Sequence, residues 1–230
     1  MTEPRIPRLS VDIVSDVMCP WCIIGWLKFR KVMDHFAERL DFRVQWHPFE
    51  LNPDMPAEGE DTAAHVMRKY GISAEQSRAN SGKMAEVAAD LGFTFNRSGE
   101  SRVRNSFDAH RLLTWAGALE EPEQDAATGV QTALKLALFA SHFTDNRDVS
   151  DHTVLADVAA SVGLDRARAA AILASDEFGE MVRTEEAYWA DQNITGVPAF
   201  ILGGRMLIPG AQDPEVFIRV IETKILAAAA

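Results

Sequence analysis

Both cysteines of the 230-residue chain lie in one short segment, Cys19-Pro20-Trp21-Cys22. A structural zinc site needs more ligands than two cysteines supply, and the histidines show no paired spacing that would complete one. A disulfide that closes so short a loop would join no distant parts of the chain. The spacing therefore predicts redox chemistry at two neighbouring thiols, in preference to a zinc site or a pair of inert core cysteines.

The two thiols lie between a predicted strand and a predicted helix. Residues 9–14 alternate apolar and polar side chains, which is typical of a strand. Residues 23–40 carry apolar side chains every three or four positions, which predicts one buried helix face. Residues 42–49 alternate again and predict a second strand. The first unit of the chain is therefore strand, Cys-x-x-Cys, helix and strand.

This position gives the two cysteines different expected roles. At a helix start, the sulfur of Cys19 would face unpaired backbone N–H groups and the positive end of the helix dipole, which both stabilise a thiolate. Pro20 suits the first helical turn because its missing N–H costs nothing there. We therefore expect Cys19 to be the exposed, attacking thiol. Cys22, the more shielded thiol, would resolve the mixed disulfide.

A second motif, "TGVPAF" at residues 195–200, places Pro198 directly before the apolar run of a strand. Proline within a sheet is confined to edges and to first residues of strands. A cis Val197–Pro198 bond would leave the backbone of Val197 free to pair with an extended peptide. An ordinary trans proline that opens a strand is the alternative that the spacing leaves open.

The rest of the chain divides into a helical middle and a short strand-rich end. In the middle, Ser73 and Gln76 form a candidate capping box, and Pro122 suits a first helical turn. After residue 193, two short apolar runs surround Gly203-Gly204 and predict a hairpin with a primed turn, followed by a last helix. We predict a sheet domain built from residues 1–60 and 190–230, interrupted by an all-helical insertion at residues 61–189.

The composition limits the partners and the location of the protein. A net charge of −11 argues against nucleic acid and anionic membranes as partners. No run of about 18 apolar residues predicts a membrane span. The first residues carry charges and prolines where a secretory signal would have an unbroken apolar core. We therefore expect a cytoplasmic protein, and in that reducing compartment Cys-x-x-Cys is more often catalytic than structural.

The order of elements, together with six short blocks, resembles the FrnE-type members of the DsbA family of oxidoreductases. The blocks occur in order over nearly the whole chain: "SDVMCPWCIIG" (15–25), "FELNPDMP" (49–56), "KYG" (69–71), "NSFDAHRL" (105–112), "TGVPAF" (195–200) and "GAQ" (210–212). The resemblance implies an α/β, thioredoxin-like fold with an all-helical insertion. It also implies a thiol-disulfide oxidoreductase or isomerase that acts on disulfides of proteins or small thiols.

The resemblance further implies roles for individual residues. Cys19 would be the nucleophile and Cys22 the resolving thiol, with Pro198 as a cis-proline facing them. No metal or resident cofactor is implied, although glutathione is a candidate redox partner. The expected substrate contacts are Trp21, Val197, Pro198, His110 and Gln212.

Three of these roles have structural alternatives. His110 either lines the substrate groove or ties the helical insertion to the sheet domain. Gln212 either contacts substrate or makes hydrogen bonds within its loop. Asp16, three residues before Cys19, either relays a proton or gives electrostatic support at the helix start. Because no histidine stands between the two cysteines, the direction of electron flow is also open.

Two other classes of function share parts of this pattern. The 2-hydroxychromene-2-carboxylate isomerases and kappa-class glutathione transferases have the same implied architecture, and they bind glutathione and typically carry serine at the position of Cys19. A glutathione-dependent isomerase or transferase is therefore the alternative enzyme. A peptide-binding holdase that uses the apolar surface beside Pro198 is the non-enzymatic alternative.

Overall fold

The computed structural model describes residues 6–96, 101–120 and 129–227. The strands are β1 (Arg8–Ser15), β2 (Asp41–Pro48), β3 (Glu60–Asp61), β4 (Arg102–Val103), β5 (Ala199–Leu202) and β6 (Met206–Pro209). The helices are α1 (Pro20–His35), α2 (Thr62–Tyr70), α3 (Ala74–Asp90), α4 (Phe107–Ala118), α5 (Val130–Phe139), α6 (His152–Ser161), α7 (Arg166–Leu173), α8 (Gly179–Asp191) and α9 (Pro214–Val220). Short π-helical turns extend α5 through Thr144 and α9 through Leu226.

A mixed sheet of four strands, in the order β2-β1-β5-β6, forms the centre of the sheet domain. Strands β1 and β2 run parallel, whereas β5 is antiparallel to both β1 and β6. The predicted alternation is confirmed, since Val11 and Ile13 of β1 are fully buried. Helix α1 covers this sheet, and its Phe29 ring lies 5.3 Å from the ring of Phe200 on β5. The core of the sheet domain therefore lies directly below the helix that starts at the cysteines.

Helix α1 is shorter than the sequence pattern predicted. The periodic run continues to residue 40, but the helix ends at His35, and Phe36 has left helical geometry. Phe36 and Leu40 stay buried in the same core after the helix has ended. The apolar spacing therefore marks burial correctly but overestimates the helix, because the chain must turn before it enters β2.

The predicted hairpin near the C-terminal end is present as β5 and β6. Gly203 and Gly204, which join the two strands, have φ values of 59° and 67°. A primed turn requires positive φ at both central positions, and glycine adopts it without steric cost. This tight turn sets the register of β5, the strand that begins directly after Pro198.

The residues between the two parts of the sheet domain form a mainly helical module with its own core. The predicted capping box of Ser73 and Gln76 is present at the start of α3. Pro122 lies outside the described residues. The prediction that this region contains no strand was wrong, because β3 and β4 pair as a small antiparallel ribbon. Strands of two residues are too short to show an alternating pattern.

Gln131 of α5 attaches the helical module to the edge of the sheet. Its side-chain carbonyl accepts the backbone N–H of Trp46 at 2.9 Å, and its amide donates to the Trp46 carbonyl at 3.0 Å. These two bonds replace the ones that a further strand would make with β2. The helical module is thereby fixed beside β2. This strand pairs with β1, and the end of β1 leads into the cysteines. None of the described helices is long and apolar enough to cross a membrane.

Candidate functional site

The two cysteines lie where β1 passes into α1. Cys19 is the residue that caps the helix start, and Pro20 is the first residue of α1. The backbone N–H of Cys19 donates to the carbonyl of Asp16 at 3.1 Å, and that of Cys22 donates to the carbonyl of Cys19 at 3.0 Å. Both residues are free thiols on the same helical turn. The predicted placement at the strand-to-helix junction is confirmed.

The expectation that Cys19 is the exposed sulfur was wrong. Cys19 is 4% exposed and Cys22 is 1% exposed, and both belong to the core of the sheet domain. Trp21, between them, is 46% exposed. Cys19 is buried because its sulfur turns inward, toward the loop that precedes β5. The expected role of Trp21 as a substrate contact stays a prediction.

The loop that faces Cys19 contains a cis peptide bond between Val197 and Pro198, as predicted. The Cys19 thiol donates to the carbonyl oxygen of Val197 at 3.6 Å. Pro198 is anchored in turn, because its carbonyl accepts the N–H of Gly210 at 2.7 Å. The carbonyl of Val197, directly before the cis-proline Pro198, therefore lies against the Cys19 thiol.

Gly25 allows helix α1 to approach this loop closely. A Cβ atom at Gly25 would lie 3.0 Å from Cγ of Pro198 and 3.3 Å from the ring of Phe200. Those distances are shorter than ordinary van der Waals contacts, so a side chain there would push the helix away from the cis-proline. The glycine therefore helps to set the spacing between the thiols and the loop.

The expected stabilisation of a Cys19 thiolate is also not found. The hydrogen bond with Cys22, burial, and the negative charges of Cys22 and Asp16 raise the pKa of Cys19 well above its ordinary value. The backbone N–H of Cys22 acts in the opposite direction but is outweighed. At the helix start, the second thiol and burial, with a smaller contribution from Asp16, thus outweigh the backbone N–H group in their effect on the Cys19 pKa.

Asp16 is a buried carboxylate that is held by backbone donors. It accepts the N–H of Met18 at 2.9 Å and that of Leu51 at 2.7 Å, and Nε2 of His110 lies 3.7 Å away. Burial raises its pKa, but the interactions with His110 and with the two N–H groups outweigh burial and lower the pKa below the ordinary value. Asp16 is therefore ionised at neutral pH, which favours the electrostatic role over the proton relay.

His110 does not line an open surface, which corrects its expected role as a substrate contact. The ring is 1% exposed, and its Nε2–H donates to the backbone carbonyl of Phe49 at 3.1 Å. It therefore ties α4 of the helical module to the end of β2, next to Asp16. This is the structural alternative that the sequence left open.

Gln212 is likewise engaged within its own loop rather than aimed at the cysteines. Its side-chain amide donates to the carbonyl of Pro209 at 2.9 Å, and its backbone N–H donates to the carbonyl of Gly210 at 2.9 Å. These bonds shape the turn that holds Gly210 against Pro198. The hydrogen bonds within the loop are present, and the substrate contact of Gln212, whose side chain is exposed, stays a prediction.

Sequence reasoning missed two buried basic side chains that the helical module brings near the site. Lys135 of α5 is completely buried, and its ammonium donates to the carbonyl of Ser15 at 3.3 Å. Burial lowers its pKa to about 8, although the negative charges of Cys22, Asp16 and Cys19 act to raise that pKa. Burial also lowers the pKa of His142 to about 4, so that ring is neutral. The signal for Lys135 was a lone lysine inside the apolar run "ALKLALF".

No metal centre is found in the part of the chain that the structure describes, where no three His, Cys, Asp or Glu side chains are grouped as metal ligands. The candidate site therefore consists of two thiols, a cis-proline loop, an ionised carboxylate and a buried lysine. This combination, on a sheet interrupted by a helical module, defines a thiol-containing protein of the thioredoxin class. The sequence profile of the DSBA-like thioredoxin domain matches residues 10–222, and the chain belongs to that family.

Comparison with known proteins gives the same fold. A probable DsbA oxidoreductase from Streptomyces coelicolor is 32% identical and has a TM-score of 0.83, with 93% of this chain and 88% of that chain covered. The uncharacterized protein YwbO of Bacillus subtilis is 27% identical over 93% of this chain and 96% of the relative. The predicted α/β, thioredoxin-like fold with a helical insertion is confirmed.

The fold is also shared with an isomerase. A 2-hydroxychromene-2-carboxylate isomerase has a TM-score of 0.64 at 15% identity, with 96% of this chain and 97% of that chain covered. At this identity the likeness concerns the fold alone. The fold therefore does not separate the redox hypothesis from the glutathione-dependent alternative, and the side chains at the site must do so.

Proposed function

We propose that this protein is a thiol-disulfide oxidoreductase that reduces disulfides of proteins or small thiols through Cys19 and Cys22. The observation that carries the proposal is the contact between the Cys19 thiol and the Val197 carbonyl at the cis-proline. A substrate whose backbone lies along Val197 would bring a disulfide to the Cys19 sulfur. Cys22, on the same helical turn as Cys19, would then attack the resulting mixed disulfide.

The charge around Cys19 supports a reducing role over an oxidising one. A thiol-disulfide protein is a strong oxidant when its reduced, thiolate form is stabilised, as it is in DsbA. In this chain burial, Cys22 and the ionised Asp16 raise the pKa of Cys19 and so destabilise its thiolate. This supports a disulfide that forms readily and a dithiol that gives up electrons. A reducing role suits the cytoplasm, where thiols are kept reduced.

The proposed cycle has two exchanges at the site. The Cys19 thiolate attacks the substrate disulfide, releases one substrate thiol and forms a mixed disulfide. Cys22 then attacks the Cys19 sulfur, releases the second substrate thiol and leaves the Cys19–Cys22 disulfide. A reducing thiol returns the pair to its dithiol form, and glutathione is the candidate for that step.

Turnover with a protein disulfide tests this proposal. With glutathione as the electron source, the unmodified protein is expected to accelerate insulin reduction, and Cys19→Ser is expected to abolish that acceleration. Lys31→Met, on the exposed side of α1, is the matched control and should retain the rate. If Cys19→Ser keeps full activity, Cys19 is not the nucleophile and the proposal is wrong.

A second measurement addresses the glutathione-dependent alternative. The binding of reduced glutathione can be measured by calorimetry with the unmodified protein and with the Cys19→Ser, Cys22→Ser double variant. The same affinity and enthalpy for both proteins would indicate a site that activates the glutathione thiol. We expect instead that glutathione acts as a redox reactant that needs the two cysteines. Oxidised glutathione should therefore convert the dithiol to the disulfide only in the unmodified protein.

A further inference from the structure

We propose that Lys28 of α1 is a positioning residue, which fixes the loop of residues 209–213 so that the backbone of Val197 stays available to an extended disulfide substrate. This inference rests on the proposed function, because it requires a substrate disulfide that reacts at Cys19 while the substrate backbone lies along Val197. It adds a residue outside the Cys-x-x-Cys segment, and it names extended peptides as the substrates for which that residue matters.

Lys28 binds the 209–213 loop through two acceptors. Its ammonium donates to the backbone carbonyl of Ala211 at 3.2 Å and to Oδ1 of Asp213 at 2.6 Å. An ion pair between two well-exposed side chains contributes little to stability. Here, however, the Lys28 side chain is only 16% exposed. Because one of its acceptors is a main-chain carbonyl, the lysine fixes the path of the loop backbone as well as the side chain of Asp213.

Asp213 makes this ion pair in place of the contact that its position normally provides. It is the N-cap residue of α9, and Pro214 is the first residue of that helix. An aspartate at an N-cap ordinarily accepts a backbone N–H of its own helix. The structure gives Asp213 no capping hydrogen bond, and its carboxylate accepts the Lys28 ammonium instead. The carboxylate therefore joins the loop to α1.

The 209–213 loop supports Pro198 through the main chain. The N–H of Gly210 donates to the carbonyl of Pro198 at 2.7 Å. The next residue along the loop is Ala211, whose carbonyl accepts the Lys28 ammonium. A displacement of Ala211 would therefore reach Pro198 through one intervening residue.

Helix α1 meets this region at two points on the same face. Gly25 and Lys28 are three residues apart on the helix, so they lie next to each other on its surface. A Cβ atom at Gly25 would lie 3.0 Å from Cγ of Pro198. The same helix begins next to Cys19, whose thiol contacts the carbonyl of Val197. The helix that carries the attacking thiol is thus also the helix to which the loop is bound.

A purely structural role for Lys28 would be to hold α9 on the sheet domain, but apolar contacts already do this. Phe217 of α9 is fully buried. Its ring lies 5.3 Å from the ring of Phe29 and 5.0 Å from the ring of Phe200. These contacts dock α9 without the lysine. The position of the 209–213 loop is therefore what the polar contacts of Lys28 add.

Two disulfides of different size distinguish a role in substrate binding from a role in thiol chemistry. A short peptide whose single disulfide holds a fluorescence quencher presents a backbone to Val197, whereas 5,5′-dithiobis(2-nitrobenzoate) has no peptide backbone. With glutathione as the electron source, we expect Lys28→Met to raise KM for the peptide by about 10-fold, the lower end for a lost hydrogen bond to a charged group. The value of kcat should be retained, because the lost interaction stabilises the bound substrate and the transition state equally. The loss of rate should be smaller with the nitrobenzoate disulfide.

Three further variants complete this experiment. Lys31→Met, on the exposed side of α1, should match the unmodified protein with both disulfides. Lys28→Arg keeps the charge and has donors for both acceptors, so it should restore a low KM. Asp213→Ala leaves α1 unchanged and removes no helix cap, which covers the case in which Lys28→Met does not fold. We expect it to raise KM for the peptide less than Lys28→Met does, because the contact with Ala211 remains.

The outcomes separate this proposal from the proposed function. A KM for the peptide that is unchanged in Lys28→Met or in Asp213→Ala overturns the role of Lys28. An equal loss of rate with both disulfides in Lys28→Met also overturns it, because the lysine would then act on the thiols. If the unmodified protein reduces neither disulfide, the proposed function itself has failed.

Hydrogen exchange reports on the loop without any substrate. The N–H of Gly210 is bound to the carbonyl of Pro198, so its exchange measures how often that bond opens. We expect Gly210 to lose protection in Lys28→Met, measured by NMR on the folded protein, whereas the amides of β1 should keep their exchange rates. Equal protection of Gly210 in Lys28→Met and in the unmodified protein would contradict the proposal.

Discussion

The sulfur of Cys19 lies 3.6 Å from the carbonyl oxygen of Val197, across 178 residues of sequence. The first residue belongs to the start of α1 and the second to the cis-proline loop before β5. The contact gives the Cys19 thiol an acceptor, and Cys19 is only 4% exposed. We therefore predict that a disulfide substrate displaces the Cys19 thiol from Val197 when it reacts.

Replacement of the resolving thiol should trap the intermediate. In Cys22→Ser, Cys19 can still attack a disulfide but nothing within the chain can release the product. We expect a stable mixed disulfide with a cysteine-containing peptide, visible by mass spectrometry as one added peptide per chain.

The controls for this trapping experiment separate the remaining alternatives. Cys19→Ser should form no adduct, and an adduct there would show that Cys22 attacks first. The Cys19→Ser, Cys22→Ser double variant should also fail to suppress aggregation of an unfolded client. Suppression by that variant would favour the peptide-binding holdase.

Removal of the charge of Asp16 should make the protein more oxidising. The charge of Asp16 raises the pKa of Cys19, so the Cys19 thiolate is better stabilised in Asp16→Asn. The dithiol form then becomes more stable relative to the disulfide form. A fall of one pH unit in the Cys19 pKa corresponds to about 1.4 kcal/mol, or about 30 mV in potential. The asparagine also loses one acceptor for a backbone N–H and should cost about 1–3 kcal/mol in stability.

The Cys19 pKa can be read from the pH dependence of iodoacetamide alkylation, and the potential from equilibration with glutathione. Asp34→Asn, an exposed carboxylate on α1, is the matched control and should change neither value. A Cys19 pKa that stays unchanged or rises in Asp16→Asn would contradict the electrostatic role given to Asp16.

A methyl group at Gly25 should disturb the spacing between α1 and the cis-proline. The new Cβ of Gly25→Ala would stand 3.0 Å from Pro198, so the helix must move or the loop must shift. We expect a loss of about 1–3 kcal/mol in the free energy of unfolding by urea, as for overpacked cores, and a slower reaction of Cys19 with 5,5′-dithiobis(2-nitrobenzoate). Gly179→Ala, at the start of α8, is the control because its Cβ would make only an ordinary contact, 3.5 Å from the ring of Phe107. Equal stability and reactivity of the two variants would show that the close approach at Gly25 is unimportant.

Stability should fall with rising pH because of a buried histidine on the far side of the sheet. Nε2 of His47 lies 3.0 Å from Asp12, and Nδ1 lies 3.5 Å from Glu185. Burial lowers its pKa, but the hydrogen bonds and charges of the two carboxylates outweigh burial and raise it above the ordinary value. A histidine whose pKa is higher in the folded than in the unfolded chain stabilises the fold. This contribution is complete below the unfolded pKa of about 6.5 and is lost as the pH rises through the folded pKa.

The free energy of unfolding by urea, measured from pH 5.5 to 8.5, tests this dependence. We expect stability to decline over the upper part of this range, by about 1.4 kcal/mol for every pH unit that separates the folded from the unfolded pKa of His47. His47→Gln should flatten the decline, whereas His35→Gln, on an exposed ring, should leave it in place. An unchanged slope in His47→Gln would assign the pH dependence to other groups.

The sequence predicted the features that local patterns determine. The position of Cys19 at a helix start, the alternation of buried side chains around Val11 and the turn at Gly203-Gly204 each depend on a few neighbouring residues. The cis-proline was predictable from its position before a strand, together with the family resemblance. Trp21 is exposed and the Val197–Pro198 bond is cis, but the roles of Trp21 and Pro198 toward substrate stay predictions.

The chemistry of the site was less predictable because it depends on contacts between distant segments. The ionisation of Asp16 is set by the backbone N–H of Leu51 and by His110, which the fold brings together. The pKa of Cys19 follows from that charge and from burial, neither of which the Cys-x-x-Cys spacing reveals. Lys135 lies in an apolar run of the sequence, and only the packing of α5 on the sheet brings its ammonium to the carbonyl of Ser15 at the end of β1.

The redox equilibrium of the Cys19–Cys22 pair with glutathione is the decisive test of whether the two cysteines form a reducing dithiol site. The dithiol and disulfide forms can be counted by mass spectrometry after alkylation in a series of glutathione buffers. We predict a reversible one-disulfide transition with a potential nearer to the thioredoxin value of about −270 mV than to the DsbA value of about −120 mV. A pair that forms no disulfide, or one with a potential near the DsbA value, would contradict the account of a reducing site.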